Sequence, residues 1–332
     1  MNNLHLVSII FIWSIIPNLT FGQFGVGGTE DIQEVKKTET LFGLIENHDE
    51  YNAALKDAVK KYWTFTPYRF VNQGNFESMP GDPGLSYVQL YHISMDRNPG
   101  LMTKYEYFNL GLFMSQKKEL KPKTTDLSKH RSIAAVNLMP QEYWQYIDQR
   151  TVEDEAKEKE KWFSLKFGTE KTADWRFARF FEAMDRNRAT KAELIKAVQL
   201  LNNYCHLGMD IQVSPNNPRP MIAAYNKKKD RIKKKTLLIS KEDVSIKKKN
   251  NEKALKEIYL YDLKFVARSE IRKAIEEQRE EICYAVIYYE ERNMKLKAII
   301  QAKDSEVLYG EISNLKNGIF TVSKKTLESI LE

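Results

Sequence analysis

The sequence predicts an α+β fold in which two related units, each a mixed sheet packed with helices, are joined by a helical insert. The segment "ALKEIYLYDLKFVARSEI" at 254–271 resembles "ALKDAVKKYWTFTPYRFV" at 54–71. Strands and amphipathic helices follow in nearly the same order around both segments, which favours a duplicated unit over a chance likeness. A composition with 42% hydrophobic and 29% charged residues is typical of a globular chain.

The amino-terminal 22 residues have the features of an export signal. The apolar run "LHLVSIIFIWSIIPNL" contains a proline, and small residues at Thr20 and Gly22 suit cleavage before Gln23. The run is shorter and more polar than a membrane-spanning helix requires. We therefore expect a periplasmic or secreted protein that does not span the membrane after cleavage, and a flexible tail over 23–36.

Unit one is assigned to residues 37–150. "TETLFGLI" predicts its first strand, "HDEYNAALKDAVKKYW" predicts an amphipathic helix, and "TPYRFV" predicts a second strand. Three alternating segments, "LSYVQLYHISM", "YEYFNLGLFMS" and "RSIAAVNLM", predict three further strands. "PQEYWQYIDQR" predicts a helix after the last strand, because its proline suits the first helical position.

Residues 151–210 predict a helical insert, and a Pro/Lys-rich linker follows over 211–232. In "ATKAELIKAVQLLNNYCHLG", Thr190 and Glu193 have capping-box spacing and Gly208 is a predicted helix stop. The linker contains "SPNNPRP" and most of the basic run "KKKDRIKKK". The aromatic faces of the insert must be buried against each other or against a neighbouring unit, because one isolated helix is marginal in water.

Unit two is assigned to residues 233–332. "TLLIS", "LYDLKFVA", "ICYAVIYYE", "MKLKAIIQA" and "EVLYGEI" predict strands, and "NNEKALKEIY", "SEIRKAIEEQRE" and "KKTLESILE" predict helices. The order is nearly that of unit one. The residues that correspond are Leu41 with Leu237, Leu55 with Leu255, Phe70 with Phe265, Tyr87 with Tyr284, and Val136 with Val322.

The candidate catalytic residues are acids and histidines near the start of unit one. Glu46, His48 and Asp49 can bind a cation or perform acid–base chemistry, and His92 is a further candidate. A polar helix start accounts for the first three equally well, and a half-buried strand residue accounts for His92. No phosphate loop, nucleophile elbow or paired-histidine motif occurs in the sequence, so no cofactor and no metal site is predicted.

Candidate ligand-binding residues fall in two groups. Arginines alternate with aromatic residues in "WRFARFF", which suits stacking on a sugar or base, although this spacing is more often that of a helix core. The basic run suits an anionic glycan, although a solvated linker explains it as well. The residues are Trp175, Arg176, Arg179, Lys227, Lys228 and Lys229. No nucleic-acid motif accompanies them, and an exported address removes most nucleic acid from reach.

The strands "KKYWTFTPYRFV", "YVQLYHISM" and "YEYFNLGLFMS" and the helix "AELIKAVQLLNNYCHL" resemble a loosely defined set of uncharacterised exported proteins of Bacteroidota. The resemblance covers residues 54–207. It implies a periplasmic or surface address and no known activity, and it assigns no catalytic residue.

The sequence therefore favours an exported, non-enzymatic binding or scaffold protein of the cell envelope, whose partner is a protein or a glycan. The alternative is an envelope hydrolase that uses scattered carboxylates and a histidine. Convergence of two candidate side chains in a cleft would favour the hydrolase. Cys205 and Cys283 are the only cysteines. They suit small buried residues, and the sequence leaves open whether they form a disulfide.

Overall fold

The chain folds into two similar α+β units, each built on a mixed five-stranded sheet. The computed structural model describes residues 27–76, 79, 82–95, 107–117, 130–138, 181–185, 188–214, 217–244, 251–290, 294–314 and 322–332. The predicted signal segment, the helix predicted at 140–150 and residues 151–180 of the predicted insert lie outside these residues. Within the described part, no helix combines the length and apolarity that a membrane crossing needs.

Unit one contains the first sheet. In chain order its elements are α1 (Thr29–Lys36), β1 (Glu39–Leu44), α2 (Asp49–Tyr62), β2 (Tyr68–Asn72), a 3-10 turn (Gln73–Asn75), β3 (Leu85–Met95), β4 (Tyr107–Lys117) and β5 (His130–Asn137). The long helix α3 (Thr190–Asp210) follows it and belongs to the predicted insert, of which residues 181–185 are also helical.

Unit two contains the second sheet. Its elements are α4 (Arg219–Asn226), a 3-10 helix (Lys229–Lys234), β6 (Thr236–Ser240), a 3-10 turn (Lys241–Asp243), α5 (Glu252–Ile258), β7 (Leu263–Val266), α6 (Arg268–Glu276), β8 (Ile282–Glu290), β9 (Met294–Gln301), β10 (Val307–Asn314) and α7 (Lys324–Leu331).

The two sheets have the same strand order and the same strand directions. The first is ordered β2-β1-β3-β4-β5, and the second is ordered β7-β6-β8-β9-β10. In each, the first strand in the chain pairs in parallel with the next two, and the last three strands pair as an antiparallel meander. The prediction of two related α+β units is confirmed at the level of topology.

The pairing registers refine the predicted correspondence. Phe70 lies opposite Phe42 of β1, as Phe265 lies opposite Ile239 of β6, so these two phenylalanines are equivalent. Tyr87 lies opposite Leu41 of β1, and Tyr284 lies opposite Leu238 of β6. The two tyrosines are therefore equivalent as well. Leu41 therefore matches Leu238 and not Leu237. The strand registers also pair Val136 with Leu112 and Glu311 with Lys297, so Glu311 and not Val322 is equivalent to Val136.

Helix α3 is the element that both units share. It packs against α1, α2 and β5 of unit one and against α6 of unit two. Its buried residues cover most of its circumference, from Thr190 through Cys205. A helix that is buried on most sides lies inside a core, whereas a surface helix shows one apolar stripe. The insert therefore joins the units by completing their hydrophobic cores.

The second sheet is covered on both faces. One face packs against α5 and α7 in a cluster that includes Ile239, Leu255 and Leu327. The opposite face packs against α4 and α6, and its residues Leu238 and Tyr284 belong to the same cluster as α3 and unit one. The apolar run of β6 suits a strand that is buried on both faces.

The structure differs from the expectation of a flexible tail over 23–36. Residues 29–36 form α1, in which Ile32 and Val35 are fully buried against the core. The hydroxyl of Tyr204 donates a hydrogen bond of 2.9 Å to the carbonyl oxygen of Gly27, which fixes the approach to α1. Two apolar residues in eight give a weak periodic signal, so the contact with α3 determines this helix.

The segment predicted as a Pro/Lys-rich linker contains helical structure. The side-chain amide of Asn226, the last residue of α4, pairs with both backbone groups of Gly310 in β10, at 2.8 and 3.1 Å. Ile232, within the basic run, is fully buried in the core of unit two. The basic run is therefore attached to the second sheet.

Gly208 is not the predicted helix stop, because α3 continues to Asp210. A Cβ atom at this position would lie 2.2 Å from Cδ1 of Ile32. The glycine allows α1 to lie directly on α3. The predicted capping box is also wrong: Ala189 is the N-cap, no side chain caps the helix, and Glu193 pairs with Lys196.

We predict that Gly208→Ala lowers the free energy of unfolding by about 1–3 kcal/mol, because the added methyl group overpacks the contact with Ile32. Ile32→Val in the same chain removes Cδ1 and should recover part of the loss. Urea unfolding measures both, with Lys191→Ala on the exposed face of α3 as the control. If residues 29–36 were a mobile tail, Gly208→Ala would instead stabilise α3 by about 1 kcal/mol, since alanine is the better helix former.

Candidate functional site

The predicted catalytic residues Glu46, His48 and Asp49 lie where β1 ends and α2 begins. Glu46 and Asp49 are exposed to solvent, and His48 is the N-cap residue of α2 without a side-chain cap hydrogen bond. The imidazole of His48 stacks on the ring of Phe181, with 3.6 Å between centroids. The structure thus places one of the three residues in a packing contact and leaves the other two at the surface.

Two side-chain amides pair with backbone groups near the end of β1, and one of them fixes the loop before His48. The amide of Asn52 pairs with the N–H and the carbonyl of Ile45, at 2.9 and 2.7 Å. The amide of Gln73 pairs in the same way with Leu90 of β3, at 2.9 and 2.8 Å. These amides replace backbone partners where β1 ends, so the polar residues here terminate a strand.

Two features of its surroundings act on the pKa of His48 in opposite directions. Partial burial lowers the pKa of His48 from its usual value of 6.5, and the negative charge of Asp185 acts in the opposite direction. A histidine near a carboxylate is a common acid–base arrangement. Asp185 was not identified from the sequence, and its effect on His48 is the observation that favours the hydrolase alternative.

The strand registers separate the candidate His92 from a further histidine of unit one, His130. The side chains of His92 and His130 lie outside the described part, but the strand registers locate their backbones. His92 lies opposite Leu110 and His130 lies opposite Lys117, at the two ends of β4. Seven residues of strand separate these positions by roughly 23 Å. His92 and His130 therefore cannot act on one substrate atom.

The predicted ligand residues have different outcomes. Trp175, Arg176 and Arg179 lie outside the described residues. Lys228 forms an ion pair of 2.8 Å with Glu306, Lys229 donates a hydrogen bond of 3.4 Å to the carbonyl of Ser329, and Lys227 is exposed. Two of the three lysines thus contact unit two itself.

A charged cluster between the units was not identified from the sequence. Glu193 and Lys196 of α3 form an ion pair in which both side chains are less than 9% exposed. The guanidinium of Arg272 in α6 lies 3.8 Å from the carboxylate of Glu193 and is equally buried. We call these three residues the interface cluster. Buried charges of this kind are costly to separate, because removal of one partner leaves another charge without water.

Polar contacts extend this junction along α3. Gln199 accepts a hydrogen bond of 2.7 Å from the hydroxyl of Ser305 and donates one of 3.1 Å to the carbonyl of Lys303. Asn203 donates to the carbonyl of Asp304 at 2.9 Å. The turn between β9 and β10 is therefore held by α3. In the sequence, the feature that could have indicated this contact is the pair of amide residues at 199 and 203, which lie one helical turn apart.

A second polar cluster lies under the start of α7. The ammonium group of Lys297 donates to the hydroxyl of Thr326 at 2.6 Å and lies 3.5 Å from the carboxylate of Glu311. A lysine activates a hydroxyl nucleophile only when it is uncharged. The ion pair with Glu311 and the hydrogen bond to Thr326 instead join the second sheet to α7, so this cluster anchors the helix.

The large apolar side chains exposed in the described part are those of Met209, Leu260 and Tyr261. Leu260 is 84% exposed and Tyr261 is 43% exposed. Both lie in the loop between α5 and β7, which we call the 259–262 loop. The first residue of this loop, Tyr259, is buried. Its hydroxyl has no hydrogen-bond partner among the described residues.

Neither cysteine is in a disulfide, and both are buried. Burial raises the pKa of the Cys205 thiol and of the Cys283 thiol to about 12 each. Cys205 packs with its sulfur 3.9 Å from that of Met114. Among the described residues, His, Cys, Asp and Glu side chains form no group of three that could hold a metal ion.

We predict that both thiols are inert in the folded protein, because the thiolate is the reactive species and burial suppresses it. A chromogenic disulfide reagent at pH 8 should label neither cysteine in native protein and both in urea. Fast labelling of either thiol without denaturant would contradict the burial described here.

We also predict a pH dependence that arises from His48. Because its folded-state pKa lies below 6.5, the unfolded chain binds the proton first as pH falls, so the free energy of unfolding declines below pH 6.5. His48→Gln should reduce this decline but not abolish it, since burial lowers the pKa of His206 as well. Urea unfolding between pH 7.5 and 5.5 measures the effect. An NMR titration midpoint for His48 at or above 6.5 would contradict it.

Comparison with known proteins supplies no relative: the chain matches no family model, no curated protein and no solved structure. The most informative comparison is therefore internal. Unit one and unit two share a sheet topology, so a feature present in one and missing in the other marks where the two differ in role.

Proposed function

We propose that this chain is an exported, non-enzymatic binding or scaffold protein of the cell envelope, which presents a surface of its two similar units to a protein partner or a glycan. The observation that carries this proposal is the filled junction between the units. Binding and catalytic sites of two-unit proteins commonly occupy an open crevice at such a junction.

Here the junction contains α3. The interface cluster and the amides of Gln199 and Asn203 direct their polar groups to α6 and to the β9–β10 turn. These groups hold the units together, which leaves the outer surface for recognition. A body joined in this way presents its loops in a fixed geometry, and preorganisation favours binding because less freedom is lost on association.

The position of the catalytic candidates also supports a binding role. Glu46 and Asp49 are solvent-exposed, and His48 packs on Phe181. A hydrolase that uses His48 with Asp185 is the second candidate, because the charge of Asp185 acts on this imidazole.

We predict that the full chain, expressed in a bacterium with an outer membrane, is recovered from the periplasmic or surface fraction with Gln23 as its first residue. A crosslinker that does not cross the inner membrane should give a discrete adduct of higher mass in intact cells. The adduct should persist in His48→Ala, because binding does not require this imidazole. Recovery of the uncleaved chain from the cytoplasm, or of monomer alone after crosslinking, would contradict the proposal. Hydrolysis of an envelope substrate that is abolished in His48→Ala while the adduct persists would favour the hydrolase.

A further inference from the structure

The loops that follow α2 and α5 are equivalent in the two units. The N–H of Trp63 donates to the carbonyl of Val59, and the N–H of Tyr259 donates to that of Leu255. At the other end, the carbonyl of Pro67 accepts from β1 and that of Asp262 accepts from β6. The 63–67 loop and the 259–262 loop therefore begin and end at matching positions, and the loop of unit two is one residue shorter.

In unit one this loop is covered by a helix. The N–H of Thr64 donates to the side-chain oxygen of Asn202 in α3, at 2.8 Å. Phe65 is 1% exposed, and its ring meets the edge of His206, also in α3, at 5.3 Å between centroids. One backbone donor and one large apolar side chain are thus buried by the same helix.

In unit two the matching residues are exposed. Leu260 takes the place of Thr64, and its N–H has no partner in the described part of the chain. Leu260 and Tyr261 are both exposed. The helix that packs beside α5 is α7, which has eight residues where α3 has 21. It does not cover Leu260 and Tyr261, so these two side chains of unit two are open.

The surroundings of the open loop are basic. Residues 227–235 contain seven lysines and arginines and the single acid Asp230. Lys233 from this run lies near Tyr261. Lys264 of β7 lies next to the loop, and its side chain is 61% exposed. Its ammonium group is 3.9 Å from the carboxylate of Asp262, which is a weak contact. Lys264 and Lys233 thus place positive charge beside the loop, although Lys233 is paired with Asp230 and the loop itself contains the carboxylate of Asp262.

We propose that the 259–262 loop docks an acidic amphipathic α-helix of a partner protein, which takes on unit two the place that α3 takes on unit one. Its apolar face covers Leu260 and Tyr261, an amide or carboxylate side chain accepts the N–H of Leu260 as Asn202 accepts that of Thr64, and its acidic residues face the 227–235 run. This inference rests on the proposed function. It adds that the recognition surface lies on unit two.

The test uses the purified mature chain and a synthetic helix as the probe. The probe is a hydrocarbon-stapled peptide with leucines at i, i+3, i+4 and i+7, one glutamine beside them and glutamates on the flanks. Fluorescence anisotropy should show saturable binding that weakens with salt, as screening requires. Leu260→Ser and Tyr261→Ser should each weaken it by about tenfold, from the lost apolar burial. Met209→Ser removes another exposed apolar side chain and should leave it unchanged.

Three outcomes would overturn the inference. One is equal binding of a peptide with lysines in place of the glutamates, and another is equal loss with Met209→Ser. The third is that vesicles of phosphatidylcholine and phosphatidylglycerol bind the chain through Leu260 while the peptide does not, which would identify a lipid surface. If the peptide fails but the crosslinked adduct forms in cells and persists in Leu260→Ser, the inference falls and the proposed function stands. If no adduct forms while the peptide binds, the proposed function falls and this site remains.

Discussion

The burial of α3 in a core that includes residues of both units is the constraint on which the rest of the structure depends. The helix completes the core of unit one through α1 and α2, and it carries the contacts to α6 and to the β9–β10 turn. Its charged pair Glu193 and Lys196 is buried where the units meet, next to Arg272. Such pairs add little net stability compared with apolar packing, but they are costly to break, so they specify which surfaces meet.

The same constraint explains why two sheets of equal topology differ in their exposed surfaces. In unit one a helix of 21 residues passes beyond α2 and covers the 63–67 loop. In unit two a helix of eight residues packs against α5 and leaves the 259–262 loop exposed. The indole of Trp63 donates to Thr66 at 3.0 Å, whereas the hydroxyl of the equivalent Tyr259 has no described partner. Similar sheets thus support one closed and one open surface, and the open one is where recognition can take place.

The sequence predicted the strands and the paired units because alternation and apolar runs are local properties. The segments of β3 and β8 show them clearly, and their equivalence through Tyr87 and Tyr284 follows from the pairing. Features that depend on distant contacts were not predictable. Helix α1 forms because Ile32 meets Gly208, and Gly208, which usually ends a helix, instead permits that contact. The interface cluster and the exposed loop likewise depend on which helix covers which sheet, and no local pattern encodes this.

Cooperativity between the units tests the central claim most directly. All tryptophans lie at or before residue 175, so their fluorescence reports on the part of the chain that precedes unit two. Cys283 lies in β8 and reports on unit two through its reactivity, in a Cys205→Ala background. If α3 completes a core that includes residues of both units, the two probes should show one urea midpoint, as a two-state transition requires. Exposure of Cys283 at a urea concentration where the fluorescence is still native would contradict the account.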